Sequence, residues 1–200
     1  MDRYLTIENQ SIGVYKERKS KFIAIAEPVK NDVEIKQALN KIKSEYYDAT
    51  HHCYAYRYLD KDFHVVEHWN DDGEPANSAG IQINYAIKKF ELYNILVVVV
   101  RYYGGLKLGV PGLIDAYKTS TTEALTNASI IEKIITKSFS IKFKYEQLSK
   151  IMSCLKKYKV KIKKQILELD CFIEAEVCIP QFETIKQELK SLNIETIESL

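Results

Sequence analysis

The sequence contains no long hydrophobic run, and this argues against both a membrane-spanning helix and a signal peptide. Its longest apolar stretch, residues 95–100, is far shorter than the ~20 residues that a membrane-spanning helix needs. The first ten residues, MDRYLTIENQ, also lack the apolar core of a signal peptide. We therefore expect a cytoplasmic protein without a membrane partner.

Net charge is equally scarce, because 29 Lys and Arg residues are balanced by 27 Asp and Glu residues, which leaves a formal charge of +2. So small an excess predicts no strong attraction of the whole molecule to nucleic acid, and any such binding must come from a local patch. The cysteines form no CxxC pair, which argues against a zinc ribbon or a disulfide framework. No cofactor is predicted, and reduced, mostly buried thiols are expected at Cys53, Cys154, Cys171 and Cys178.

The most specific stretch is NILVVVVRYYGGLKLGVPGLIDAY, residues 94–117. An uninterrupted apolar run predicts a strand buried on both faces. Gly104 and Gly105 favour a tight turn, and Pro111 suits the first turn of a helix. The helix start, with Arg101 and Lys107 close in sequence, could hold an anion. The glycines match neither a P-loop nor GxGxxG, so a purely structural role for them stays open.

The pattern of apolar residues predicts two domains of mixed α and β structure. Glycine and proline are absent between Gly112 and Pro180, so no flexible linker marks a boundary. The periodicity changes near residues 132–138, which predicts domains at 1–134 and 135–200. The first contains a strand at 21–29, a helix capped by Asn31, a hairpin at 51–69, the buried strand and helices on either side of it. The second has the order βαββαβ, which is typical of a ferredoxin-like sandwich.

Two polar clusters could carry chemistry. Asp71, Asp72 and Glu74 crowd three carboxylates into DDGEP, which favours either a simple turn or a cation site. Histidines and one cysteine fall on the predicted hairpin and could surround zinc or form a Cys–His nucleophile. Neighbours on a strand point to opposite faces, which disfavours a direct pairing of His52 with Cys53. The other histidines of this cluster are His51, His64 and His68.

A run of lysines lies near residue 160 and is the densest charge in the chain. If residues 159–164 form a strand, Lys159, Lys161 and Lys163 share one face, which makes a linear stripe suited to a phosphate backbone. The alternative is a solvated edge strand that lysine protects against aggregation. Tyr54, Tyr56 and Tyr58 could stack on bases or be half-buried sheet residues. The predicted phosphate contacts are Arg101, Lys107, Lys156, Lys157, Lys159, Lys161, Lys163 and Lys164.

Taken together, the motifs THHCYAYR (50–57), DDGEP (71–75), AG (79–80) and VVRYYGG followed by KLG (99–105 and 107–109) resemble the YigZ/IMPACT family. The resemblance covers residues 15–130 well, although Asp115 stands where relatives often carry arginine. It directs attention to a set of motif residues as candidates for the functional site. These are His51, His52, Asp71, Asp72, Glu74, Ser78, Tyr103, Gly104, Gly105 and Gly109.

The resemblance implies a first domain similar to domain 2 of ribosomal protein S5, followed by the ferredoxin-like sandwich, an α+β arrangement similar to the last domains of elongation factor G. It also implies contact with nucleic acid or the ribosome. Eukaryotic relatives regulate translation with an extra N-terminal domain, so their kinase-related activity is not expected here.

We therefore expect a non-enzymatic cytoplasmic protein that contacts RNA or the translation apparatus and acts in translation regulation, with no catalytic or metal-binding residue assigned. The rival hypothesis is a small hydrolase or metabolite-binding enzyme, with a cleft formed by residues 71–74, His51 or His52, and residues 101–109. A protein-binding role also stays open. A pocket that gathers Asp72, Glu74 and Arg101 would favour the enzyme, whereas salt bridges among them in a packed interior would not.

Overall fold

A computed structural model describes residues 2–194 and 196–198 of the chain. The chain divides into two compact units. The first unit is Tyr4–Glu132, and the second contains the chain from Lys133 onward together with Asp2 and Arg3. Each unit has its own hydrophobic core, as expected for domains of this size.

Strands and helices make up the first unit, whose outermost strands extend past its bounds by one or two residues. Its elements are β1 (Arg3–Ile7), β2 (Ser11–Glu17), β3 (Ser20–Pro28), α1 (Asp32–Glu45), β4 (His51–Leu59), β5 (Val65–Asn70), α2 (Gly80–Lys89), β6 (Ile95–Tyr102), α3 (Gly109–Thr126) and β7 (Ile130–Ile134). Strands β1 and β7 form a small sheet of their own. The other five strands form one antiparallel sheet in the order β2-β3-β6-β4-β5.

Strand β6 is the central strand of this sheet, and both of its faces are buried, as its uninterrupted apolar run predicts. Ile95, Val97 and Val99 belong to the core that includes residues of α2 and α3. The alternate residues, such as Val98, belong to the core that includes Ile35 of α1. Helices therefore cover the sheet on both sides, and every side chain of this strand up to Arg101 is enclosed.

The helix signals read from the first unit are also confirmed. The Asn31 side chain accepts a hydrogen bond from the backbone N–H of Glu34 at 3.0 Å and caps α1. Helix α3 begins at Gly109, two residues before Pro111, and buries the stripe that contains Tyr117 and Leu125. This stripe packs α3 against the sheet, and α3 therefore lies beside the candidate functional site.

The second unit has the predicted order of elements. It consists of β8 (Thr136–Lys144), a short 3₁₀ turn (Tyr145–Gln147), α4 (Leu148–Lys157), β9 (Lys161–Ile166), β10 (Asp170–Cys178), α5 (Ile179–Ser191) and β11 (Thr196–Glu198). The sheet order is β11-β8-β10-β9, all antiparallel. The chain thus has a mixed α+β fold with two units. None of its described helices is long and apolar enough to cross a membrane.

The lysine segment differs from the predicted straight stripe. Lys159 lies before β9 with a positive φ of 53°, because the chain must turn there from α4 into the strand. The pairing of β9 with β10 also skips one residue, Lys163, opposite the step between Glu174 and Ala175. A bulge of this kind bends the strand and breaks the two-residue alternation. Lys159 therefore lies outside the strand and not on the predicted stripe, whereas Lys163 still reaches Glu176, the residue opposite Lys161, at 2.9 Å.

Strand β2 was not predicted, and its packing shows why. It lies at the edge of the sheet, and Ile12 and Val14 are exposed while Gly13 is buried, which inverts the usual pattern. A Cβ atom on Gly13 would lie 2.3 Å from the Ala124 backbone nitrogen in α3. Only glycine lets this strand approach the helix so closely.

Replacing Gly13 with alanine is expected to lower the free energy of unfolding of the first unit by about 1–3 kcal/mol, because the backbone of α3 must shift to admit the methyl group. Urea unfolding followed by the fluorescence of Trp69, the single tryptophan of the chain, measures this unit directly. The control is Ile12→Ala, whose side chain is exposed and whose loss is expected to cost less than about 0.5 kcal/mol. Equal midpoints for the two variants would contradict the close approach.

Candidate functional site

The site is organised by the end of strand β6. Arg101 pairs in register with Phe22 of β3 on one side and with His51 of β4 on the other. Directly opposed residues of an antiparallel sheet point to the same face, so the three side chains form a row. Strand alternation places the row on the face that α2 and α3 cover, because Val99 and Cys53 lie two residues away on the same face.

A buried ion pair holds this row together. The Nη1 of Arg101 donates to Oε1 of Glu74, and the two side chains are only 6% and 4% exposed. The guanidinium also lies 5.4 Å from the ring centroid of Phe22 and 5.3 Å from that of Tyr103. Charges this deeply enclosed must be paired, because an unpaired one would lose its hydration without compensation. Arg101 is therefore not placed as an exposed phosphate contact.

A chain of hydrogen bonds extends the ion pair into the core. The Tyr117 hydroxyl of α3 donates to the same Oε1 of Glu74 at 2.8 Å. The Cys53 thiol lies 3.2 Å from that hydroxyl and 3.0 Å from the Asp71 carbonyl, and it can donate to either. Burial is the main cause that raises the pKa of both Cys53 and Tyr117, and the nearby carboxylate of Glu74 raises them further. Both groups therefore stay protonated at neutral pH.

The side chains of the two histidines in the THHC motif point to opposite faces of the sheet. His51 lies with Nδ1 2.8 Å from the Asp72 carbonyl, which can only accept, so this nitrogen carries the proton. Its Nε2 then faces Oε1 of Glu74 at 3.9 Å. His52 points the other way, and its Nε2 lies 3.0 Å from the Tyr46 carbonyl. His52 and Cys53 thus face opposite sides, as predicted, and form no nucleophilic pair.

The carboxylates of the DDGEP turn act mainly on the backbone. Asp71 accepts hydrogen bonds from the backbone N–H groups of Asn77, Ala79 and Gly80 at 2.7–3.1 Å, which stabilises the start of α2. Asp72 accepts from the backbone N–H of His52 at 2.7 Å. These bonds favour the turn interpretation over the cation site, since the oxygen atoms already have donors.

Ser78 also stabilises this turn, because its hydroxyl donates to the Pro75 carbonyl at 2.7 Å. Among the described residues, one group has the spacing to hold a metal ion, and it lies elsewhere, at Asp60, Asp62 and His64. Asp60 accepts there from the backbone N–H groups of the other two residues, so it forms an ordinary turn. His68 packs against the rings of Tyr54 and Tyr56.

The glycines after β6 have distinct roles. A Cβ atom on Gly104 would lie 2.1 Å from the carbonyl carbon of Lys19, so the loop passes close to the β2–β3 turn. Gly105 and Gly109 have positive φ values of 83° and 72°. At Gly109 this conformation starts α3, whose first turn contains no acidic residue and is capped by no side chain. The predicted strand, loop and helix start are therefore confirmed.

These elements enclose a cleft of about 500 Å³ in the first unit. Its polar lining comes from His51, Glu74, Arg101 and Lys107, and its apolar lining from Leu108, Leu113 and neighbouring residues. The rest of the lining is Thr50, Pro75, Tyr103, Gly109 and Val110. Glu74, His51 and residues of the 101–109 loop thus meet at one cleft, as the rival hypothesis expected, whereas Asp71 and Asp72 do not line it and accept from backbone N–H groups instead.

The predicted phosphate contacts are divided between the two units. Lys107 is exposed at the rim of the cleft. In the second unit, Lys157 pairs with Glu188 at 2.8 Å and Lys163 with Glu176 at 2.9 Å. The remaining lysines of the run are exposed, and no ion pair involves them within residues 2–194 and 196–198. They are Lys156, Lys159, Lys161 and Lys164.

Two members of the buried network were not predicted as site residues. Cys53 was considered as a zinc ligand, a nucleophile or a buried thiol, and Tyr117 was assigned no role in the site. The signal for Tyr117 was present, because a tyrosine in a stripe of small and apolar residues carries a hydroxyl that needs a partner when it is buried. The sequence could not show that Glu74, 43 residues away, supplies that partner.

Replacing Glu74 with glutamine should cost about 3–5 kcal/mol of stability, because it leaves the Arg101 charge buried without a counter-charge. Tyr117→Phe removes one hydrogen bond and should cost only about 1–2 kcal/mol. Urea unfolding followed by Trp69 fluorescence compares them, with the exposed pair variant Glu17→Gln as the control. The double variant should lose less than the sum of the single losses, since both change one network. Strict additivity would show that the network does not act as a unit.

The Cys53 thiol should resist alkylation in the native state at pH 8, because burial raises its pKa and only the thiolate reacts. Iodoacetamide labelling followed by mass spectrometry should modify the half-buried Cys178 first and Cys53 only in urea. The unfolded thiol ionises near pH 8.5 while the folded one stays protonated, so this group's contribution to stability falls as the pH rises above about 8.5. Cys53→Ala should remove that part of the pH dependence. Rapid native labelling of Cys53 would support a nucleophile instead.

Comparison with known proteins places this site in a family. A profile of the Impact N-terminal domain matches residues 18–125. IMPACT family member YvyE of Bacillus subtilis is 31% identical over 86% of this chain and 80% of its own, and YigZ of Escherichia coli is 32% identical over 69% and 68%. A crystal structure of a hypothetical protein aligns over all of this chain and 98% of its own, with a TM-score of 0.73 and 23% identity, which shows a shared fold. The chain therefore belongs to the YigZ/IMPACT family, as its motifs predicted.

Proposed function

We propose that this protein is a non-enzymatic regulator of translation that contacts RNA or the ribosome through exposed lysines of its second unit. The observation that carries the proposal is the set of four exposed lysines between residues 156 and 164 that form no ion pair in the described chain. On a molecule with a formal net charge of only +2, such a concentrated set is the local patch that binding to a polyanion requires. The link to translation rests on the family resemblance.

The electrostatic surroundings limit the strength of this contact. Lys161 lies opposite Glu176 in the β9–β10 register, and Lys164 lies opposite Glu174. Acidic residues on the neighbouring strand lower the positive potential around these two lysines. Lys156 and Lys159 have no such opposite residue, since they lie outside β9. The protein is therefore expected to bind RNA weakly and with a strong dependence on salt.

The chemistry of the first unit supports a role without catalysis. The buried carboxylate of Glu74 already accepts from Arg101 and Tyr117, so it is poorly placed to take a proton from a substrate. The Cys53 thiol is held in its protonated form, and the Asp71 and Asp72 carboxylates accept from backbone groups.

The second domain is proposed to be a ferredoxin-like sandwich and the first to resemble domain 2 of ribosomal protein S5.

The proposal is tested with a variant in which all four free lysines become glutamine, namely Lys156, Lys159, Lys161 and Lys164. Fluorescence anisotropy with a labelled oligouridine of about 30 nucleotides measures affinity across a salt series. The slope of log affinity against log salt should become shallower by about 0.7 for every phosphate contact that the variant loses. Co-sedimentation with purified ribosomes at low salt should weaken in parallel.

The matched control removes the same charge from the first unit, by glutamine substitution of four exposed lysines there, Lys36, Lys43, Lys61 and Lys89. It should leave the salt slope unchanged. Equal losses in both variants would mean that only net charge matters, and absence of binding by the unsubstituted protein at low salt would overturn the RNA proposal.

A further inference from the structure

We propose that the cleft of the first unit binds a small organic anion, a carboxylate or phosphate group attached to an apolar body, at the start of helix α3. This site is independent of the RNA contact proposed above. Its chemistry follows from a helix start that lacks a cap, an arginine nitrogen that lacks a partner, one free positive charge, and an apolar wall.

The helix start supplies backbone donors. The first N–H groups of an α-helix have no carbonyl partner within the helix and carry a partial positive charge. In α3 no described side chain caps them, and the first turn contains no acidic residue that would neutralise them. Pro111 has no N–H, so the donors that remain are concentrated at residues 108–110. Gly109 and Val110 both line the cleft, which places these donors at its wall.

Arg101 gives a second and independent indication of an anion. Its side chain is only 6% exposed and lines the same cleft, and its Nε has no hydrogen-bond partner among the described residues. The Glu74 carboxylate engages Nη1 only, so the guanidinium keeps a donor that the fold does not use. Buried donors are nearly always paired, and a small movement of the Arg101 side chain would bring this enclosed donor to an anion in the cleft.

The charges of the lining set the charge of the ligand. Arg101 and Glu74 neutralise each other, and His51 carries its proton on the nitrogen that faces Asp72. Lys107 is then the one unbalanced charge among the cleft residues, and it adds to the partial charge of the helix start. This sum suits a ligand with about one to two negative charges.

The remaining residues of the cleft lining determine which kind of ligand body fits the cleft. Leu108, Val110, Leu113 and Pro75 form an apolar surface, and the exposed ring of Tyr103 completes it. A cleft of about 500 Å³ lies within the range that holds small organic molecules. An anionic group at the helix start with an aromatic or aliphatic body against this surface uses both parts of the site.

The test is a titration of the full chain with benzoate and phenyl phosphate, each paired with an uncharged analogue, benzamide and phenol. Isothermal titration calorimetry gives the affinity, and ¹H–¹⁵N NMR reports the Arg101 Nε–H and the backbone amides of Gly109 and Val110. The two acids distinguish a carboxylate head from a phosphate head. Shifts of these three signals are expected with at least one acid and not with its uncharged analogue.

Two variants probe the site without disturbing the core, because both positions are exposed. Lys107→Gln should weaken binding of the acid about threefold to fivefold. Val110→Asp places a carboxylate in the first turn of α3, where it stabilises the helix and competes for the same donors, and should weaken binding about tenfold. Lys118→Gln removes an exposed lysine farther along α3 and should change nothing.

Several results would overturn the proposal. These are no binding of either acid at millimolar concentration, equal binding of the acids and their uncharged analogues, or equal affinities in Val110→Asp and Lys118→Gln. The four-lysine variant of the second unit should bind the acid normally. Failure of the cleft proposal and failure of the RNA proposal are therefore distinguishable.

Discussion

The buried ion pair between Arg101 and Glu74 is the interaction on which the first unit depends. It joins the end of the central strand to the turn after β5, and through the Tyr117 hydroxyl it also holds helix α3. Moving two charges out of water is costly, and their attraction repays that cost only when the remaining donors and acceptors are also used. Here one carboxylate oxygen accepts from both arginine and tyrosine, and two aromatic rings flank the guanidinium, while the Arg101 Nε is left without a partner among the described residues.

The same pair determines what the neighbouring groups can do. With its charge matched by Arg101, Glu74 adds no net charge to the cleft, and the row of Phe22, Arg101 and His51 stays fixed by the strand register. The thiol of Cys53, which would need to ionise to react, lies in surroundings that favour its neutral form. A rigid arrangement with protonated groups and matched charges is suited to holding a ligand, and less suited to moving protons.

Sequence reasoning predicted the elements that depend on local patterns. The apolar run of β6, the Asn31 cap and the order of elements in the second unit all follow from periodicity and capping, which act over a few residues. Strand β2 was missed because its exposed apolar residues and buried glycine reflect contact with α3, more than one hundred residues away. Local pattern carries no information about such an approach.

The site was predicted in part for the same reason. The motifs indicated Glu74, Arg101 and the glycine loop, and the structure brings them to one cleft. Whether Arg101 is exposed or buried could not be read from its position after an apolar run, because burial depends on the partner that the DDGEP turn supplies. The lysine stripe was predicted to begin at Lys159, but β9 begins at Lys161, because the chain turns at Lys159 from α4 into the strand.

The two proposed binding regions obtain their positive charge in physically different ways. The lysines of the second unit are exposed, so salt screens them over a Debye length of about 8 Å at physiological ionic strength, and they act mainly on a polyanion that touches them. In the cleft, Lys107 at the rim is screened in the same way, but the other donors are fixed backbone N–H groups and an enclosed arginine, which salt screens much less. A nearly neutral chain can therefore combine a salt-sensitive contact for a large polyanion with a less salt-sensitive site for a small anion. Each of the two depends on local geometry, and neither depends on the net charge of the protein.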